Sequence, residues 1–127
     1  MIKAIFKERA DRPLAEGIIS HRRNAKKALV GFEVSGHAGY ADSGEDIVCA
    51  AVSSAVQLSA NALTDIIPAK ADVRVKENLV TLTITESIAD ERVNYAAQAI
   101  LEALWLNLKE ISKQYRGTIR LTVMEEK

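Results

Sequence analysis

Apolar and polar positions along this chain change period several times, and each change marks an element. Residues 28–35 (Ala-Leu-Val-Gly-Phe-Glu-Val-Ser) alternate β-branched or aromatic residues with smaller or polar ones, the period of a half-buried strand. From about Asp46 to Ile66 the period lengthens. Val48, Ala51, Val52, Ala55, Leu58, Ala62, Leu63 and Ile66 recur at three and four, which predicts a helix with one apolar stripe, and Pro68 closes it. Residues 1–7 alternate loosely and predict a first strand. Residues 71–76 and 79–86 alternate around Glu77-Asn78 and predict a hairpin. Ser87 with Asp90 three residues later matches a capping box and opens a long helix over about 89–115. Its stripe is Val93, Ala97, Ile100, Leu101, Leu104, Leu108, Ile111 and Tyr115, and Gly117 is its stop. Thr118–Glu125 alternates as a last strand. The order β-β-α-β-β-α-β argues for an α+β fold, a mixed or antiparallel sheet with both helices packed on one face.

Between the first two strands lies a polar stretch, residues 8–27, with Pro13, Gly17 and the run His-Arg-Arg-Asn-Ala-Lys-Lys at 21–27. It reads as a long connection with a short extended piece at Gly17–Ser20. The basic run reads as a solvated loop or, alternatively, as a patch for RNA or an acidic partner; no aromatic residue interleaves with it.

With 127 residues the chain fits one domain, residues 1–127, able to bury a modest core without metal or disulfide. Seventeen basic and seventeen acidic side chains cancel, which leaves no overall bias toward nucleic acid or an anionic membrane. The single cysteine allows no intramolecular disulfide and fits a reducing, cytoplasmic setting. The start, MIKAIFKERA, lacks the apolar core of a signal peptide. No uninterrupted apolar run approaches the roughly 20 residues of a membrane span. Two histidines and one cysteine give no metal spacing, and no glycine fingerprint for a phosphate is present, so no cofactor is expected.

The residues with chemistry gather around the first helix. Cys49 is expected in its first turn, where unpaired N–H groups and the helix dipole favour a thiolate and could hold an oxyanion. His37 lies twelve residues earlier, just past the end of a strand, and a loop of that length can return its imidazole to the helix start. A Cys–His pair in hydrogen-bond reach is the usual activated-thiol arrangement. At about 100° per residue, Asp46 falls about 60° from Cys49 and Ser53 about 40° from it. Asp46 is expected to cap the helix and steer His37. Gly36, Gly39 and Gly44 leave room for a backbone to approach closely. By pattern alone, a buried apolar cysteine and a solvated histidine are the more ordinary account of these residues.

The segment GFEVSGHAGYADSGEDIVCAAVSSAVQLSANAL resembles the ribosomal-processing cysteine protease family, Prp. The family's signature is G-H-A, a short glycine-containing loop, then D-I-V-C-A and a serine four residues after the cysteine. Here these are Gly36-His37-Ala38, Asp46-Ile47-Val48-Cys49-Ala50 and Ser53. The resemblance covers roughly residues 28–125. It implies an endopeptidase that removes a short N-terminal extension from a large-subunit ribosomal protein, number twenty-seven. It implies a homodimer without cofactors. On matching positions it implies Cys49 as nucleophile, His37 as base, and Gly36, Asp46 and Ser53 as supporting residues. The loop 38–45, with Ala38, Gly39, Tyr40 and Gly44, would order over the bound peptide; Tyr40 would touch substrate or pin the loop. About a dozen extra residues within 8–27 depart from the family pattern. Trp105, Tyr95 and Tyr115 are expected to pack or to meet a second copy. The competing readings are a non-catalytic ribosome- or RNA-associated module, a structural dimer with Cys49 in its core, and the same dyad acting on another acyl substrate. Direct nucleic-acid binding is not expected under the peptidase reading.

Overall fold

The computed structural model describes residues 1–36 and 43–126. The elements are β1 (Ile2–Pro13), β2 (Lys27–Ser35), α1 (Ser43–Asn61), β3 (Ala71–Lys76), β4 (Leu79–Ile84), α2 (Glu91–Gln114) and β5 (Ile119–Glu126). The strands form one sheet in the order β3-β4-β2-β1-β5. All neighbours are antiparallel except β1 and β5, which run parallel. The parallel pair follows from α2: only a helical crossover lets β5 arrive at the far edge in the direction of β1. The expected α+β order and mixed sheet are therefore present.

The sheet's alternation makes the core. Ala4 pairs with Val34 and Phe6 with Phe32, and Phe32 in turn faces Leu82. All five are buried, and the Phe6 and Phe32 rings sit 6.1 Å apart, tilted at 48°. On this same face pack Val48, Val52 and Val56 of α1 and Ala97, Leu101, Leu104 and Leu108 of α2. The opposite face carries Lys3, Thr81 and the Lys7–Glu33 ion pair, which keeps it wet. Gly31 sits next to a register shift between β1 and β2; a Cβ there would meet the Leu82 carbonyl oxygen at 2.1 Å, so only glycine fits.

The first strand is longer than its hydrophobic pattern. It runs to Pro13 rather than stopping at residue 7. Its second half, Glu-Arg-Ala-Asp-Arg-Pro, pairs with the start of β2 and the end of β5 beyond the core. Backbone ladders hold it, and no apolar face is needed, so periodicity could not reveal it. The connection then shrinks to residues 14–26 and contains no extended piece at Gly17–Ser20. It is not simply a solvated loop. Arg22 is 6 % exposed and Glu102 of α2 is 7 % exposed. The guanidinium donates to Glu102 from Nη2 (2.6 Å) and Nε (3.1 Å), to Glu8 from Nη1 (2.9 Å), and to the Lys27 carbonyl (2.9 Å). Ser20 donates to Glu102 (2.7 Å), the Ala15 N–H donates to Gln98 (2.8 Å), and Tyr95 donates to the Gly17 carbonyl (3.3 Å).

Both helices depart from their predicted stripes in detail. α1 starts at Ser43, three residues before Asp46, because nothing in Ser43-Gly44-Glu45 blocks a helix. It continues into one widened turn, Ala62–Ile66, closed by the Ile67 N–H on the Ala62 carbonyl at 2.7 Å. Its buried row is Val48, Val52, Val56, Ser59 and Leu63; the predicted Leu58 and Ile66 are 72 % and 78 % exposed. Leu58 lies about 120° round the helix from Val52, too far to share the core. The stretch Ile47–Ile66 is, by length and composition alone, able to cross a membrane, although serines and amides interrupt it. Here its valines and Leu63 are buried against the sheet and α2 instead. α2 is capped by Asp90, not Ser87: the Asp90 carboxylate accepts from the N–H groups of Arg92 (2.9 Å) and Val93 (3.3 Å). Trp105 belongs to the core, whereas Tyr115 ends the helix partly exposed.

Candidate active site

Gly36 closes β2 and sets the backbone into the site. Its N–H donates to the Asn78 carbonyl at 3.0 Å. Its φ of 79° lies in the left-handed region, and a Cβ there would meet the Met1 carbonyl oxygen at 2.6 Å. Gly36 is thus required by the end of its own strand, a tighter reason than the approach of a ligand. The next residue, His37, lies outside the described residues, as do Ala38, Gly39 and Tyr40. The expected loop 38–45 is shorter than foreseen, because residues 43–45, Gly44 among them, are already helical.

Cys49 is the seventh residue of α1, in its second turn rather than its first. Asp46 is the fourth residue, past the capping position. The helix start overran the estimate because the apolar stripe began later than the helix itself. This matters for the chemistry. Dipole stabilisation falls off within the first turn, and the N–H of a second-turn residue is taken by the carbonyl four residues back. The helix alone therefore does less for the thiol than its predicted place allowed. Helical side chains lean toward the N-terminus, which directs the Cys49 side chain back over the turn holding Glu45 and Asp46. Cys49 is half-buried and packs against the core. Ser53, one turn onward on the same face, is exposed.

Cys49 and Ser53 open into a cleft of about 580 Å³ between α1 and the β3–β4 hairpin. Val52, Val56 and Gln57 line it from the helix, and Val73, Val75 and Val80 from the strands. Gly36 lines the same cleft, so the structure gathers Gly36, Cys49 and Ser53 around it. The hairpin's part in the site was not foreseen. Its signal was the alternation of Val73 and Val75 on a strand too short and too exposed to be core. Among the described residues, no group of three or more His, Cys, Asp or Glu side chains could hold a metal ion.

Comparison with known proteins gives a consistent result. The profile of the family described as Cysteine protease Prp matches residues 18–120. The ribosomal processing cysteine protease Prp of Bacillus subtilis (strain 168) is 29 % identical over 103 residues, covering 80 % of this chain and 91 % of that protein. Its counterpart in Staphylococcus aureus (strain Mu50) is 31 % identical over 88 residues, covering 69 % of this chain and 80 % of that protein. Among solved structures, the S. aureus protease Prp in complex with a substrate peptide superposes with a TM-score of 0.72 at 21 % identity, covering 98 % of this chain and 100 % of that one. SMU.848 from Streptococcus mutans superposes with a TM-score of 0.74 at 22 % identity, covering 99 % of each chain.

Proposed function

The chain belongs to the Prp family of cysteine proteases, and from that premise we propose that Cys49 is its nucleophile, His37 its base, and a ribosomal-protein precursor its substrate. The observation that carries the assignment is the position of the chain's single cysteine on the wall of an apolar cleft that Gly36, the residue before His37 in the sequence, also lines. The thiolate attacks a peptide carbonyl carbon while His37 holds the thiol proton. The tetrahedral intermediate collapses, the C–N bond breaks, and His37 gives the proton to the leaving amine. Water, activated by His37, then hydrolyses the thioester and restores the thiol. With Cys49 in the second turn, thiol activation rests mainly on the base. Ser53 borders the cleft one turn from Cys49, and Asp46 lies one turn before it; both support the reacting groups in this reading.

The substrate proposed is the family's implied one, the large-subunit ribosomal protein number twenty-seven carrying an N-terminal extension. The relatives named as ribosomal processing proteases support it. Purified protein is incubated with that precursor from the same cell and read by intact mass. Cleavage at one bond, lost by at least a thousandfold in Cys49→Ala, is expected. Retained cleavage by Cys49→Ala would sink the nucleophile, and no cleavage by the unaltered protein would sink the substrate.

The same reading includes a homodimer. α1 supports it by exposing Ile47 and Leu58, both about 160–180° from Cys49 and so on the side facing away from the cleft. Sedimentation of Leu58→Glu tests it: the expected result is a monomer, against a dimer for the unaltered chain. An unchanged mass would place the interface elsewhere.

A further inference from the structure

We propose that the helix-free face of the sheet docks double-stranded RNA through a row of unpaired cations, Arg120, Lys3 and Lys76. The choice of RNA rests on the ribosomal-protein substrate proposed above. The face itself lies across the sheet from the helices and takes no part in the peptidase chemistry.

The strand register fixes which side chains share this face. Successive residues of a strand alternate between faces. Ile2, Ala4 and Phe6 are buried under the helices, so Lys3, Ile5, Lys7 and the residues in register with them point the other way. At the end of the sheet where Gly36 closes β2, one row across all five strands reads Arg120-Lys3-Ser35-Leu79-Lys76. The two rows beyond it contain acids, and each acid has a cation: Lys7 meets Glu33 at 3.2 Å and Arg74 meets Asp72 at 3.2 Å. The end row contains no acid. Its three cations are exposed, and among the described residues none of them has an ion-pair partner.

This row costs the fold something. Arg120 and Lys3 are register partners on neighbouring strands, and like charges directly opposite destabilise a sheet. The core does not need them, because both side chains stand in water. From Arg120 to Lys76 the row crosses four strand spacings, about 19 Å. The balanced total charge of the chain is an average over the whole surface and hides this local excess. A line of positive charge without counter-charges complements a phosphate backbone.

The rest of the face selects the occupant. A protein partner calls for an apolar centre, usually with aromatic anchors. No aromatic residue lies in these three rows, and Ile5 and Leu79 are already partly covered. The positions between the cations are hydroxyls instead: Ser35, Thr81, Thr83 and Thr122. Lysine, arginine, serine and threonine are the side chains that contact phosphates. Single strands are held by stacking on aromatic rings, which this face lacks. Duplex RNA is met by shape, with contacts to phosphates and 2′-hydroxyls across its shallow minor groove. A ribosomal protein is itself carried on RNA, so docking there brings the protease to its precursor.

The test titrates the full chain into a fluorescein-labelled RNA duplex of about 16 base pairs, read by anisotropy at several salt concentrations. The DNA duplex of the same sequence and polyglutamate serve as competitors. The variants are Lys3→Glu with Arg120→Glu, and Lys3→Gln with Arg120→Gln; Lys76 is left in place because it also borders the cleft. For the unaltered chain, log Kd is expected to rise with log salt with a slope of about 2–3, the value for three phosphate contacts. The glutamate pair binds at least tenfold more weakly, with a slope lower by about 2. The glutamine pair falls between, and it melts no lower than the unaltered chain because the like-charge contact is gone. Cleavage of the free precursor stays within twofold in both. RNA binding that is unchanged in the glutamate pair would overturn the proposal. So would displacement by polyglutamate or by the DNA duplex at equal phosphate or carboxylate concentration, since the face would then take any polyanion. A sedimentation mass that changes in the glutamate pair would place a second copy on this face instead. An unaltered protein that binds the RNA duplex but leaves the precursor intact would overturn the substrate reading and leave the RNA face standing.

Discussion

The two helices use the same face of the sheet in opposite ways. α2 is sealed: its inner row is buried along its length, and even its polar members, Gln98 and Glu102, are consumed by the connection 14–26 that folds over them. α1 is sealed only along one row. Its second side borders the cleft and its third exposes Ile47 and Leu58. The difference teaches where stability and function are placed. Burial on α2 and its buried ion cluster fix the fold, whereas the open sides of α1 leave Cys49 reachable. A helix that covered β3 as fully as α2 covers β2 and β5 would be more stable and would have no cleft.

The comparison breaks first, and with the largest effect, at Arg22. Arg22→Ala leaves Glu102 buried without its cation, and the loss of such a partner costs about 3–5 kcal/mol. Denaturant unfolding reads it; a cost under about 1 kcal/mol would mean that the connection is not what seals α2. Removing both charges, as in Arg22→Met with Glu102→Leu, should return most of that loss, because an apolar pair has no charge to satisfy.

Gly36→Ala comes next and couples the two regions. The left-handed backbone and the contact with Met1 each oppose a Cβ, with strain of about 1–3 kcal/mol. Since His37 follows directly, cleavage should fall by more than the loss of folded protein explains. A melt within about 0.5 kcal/mol of the unaltered chain would show that the strand end relaxes freely.

The smallest effect on folding is expected on the open side of α1. Leu58→Glu, at a 72 % exposed position, should change the unfolding free energy measured on the dilute monomer by less than about 0.5 kcal/mol. A larger loss would mean that this side is covered even in one copy.

The order of strands and helices was legible because each element that packs on the core advertises its period. Val48 and Val52 recur as a helix must, and Ala4, Phe6, Phe32 and Val34 occupy alternate positions as a half-buried sheet requires. The resemblance of Gly36-His37-Ala38 and Asp46–Ala50 to the family signature was likewise carried by residues in line. What failed had no apolar period to show. The outer half of β1 is held by ladder bonds beyond the core, and the helix began before its stripe, which moved Cys49 from the first turn to the second.

The sequence by itself thus determined the kind of fold, the family and the one residue able to be a thiol nucleophile, because those follow from local periodicity and from residue identity. Only the tertiary structure decided that Arg22, in a run that reads as solvated, is a buried cation, since its partners Glu8 and Glu102 lie 14 and 80 residues away. Only it decided that β3 stands at the sheet's edge beside α1, which turns the valines of β3 and a cysteine far apart in the chain into the walls of one cleft. Such encounters depend on strand order and on how far a helix reaches across a sheet, and neither is written in any stretch of sequence short enough to have a period.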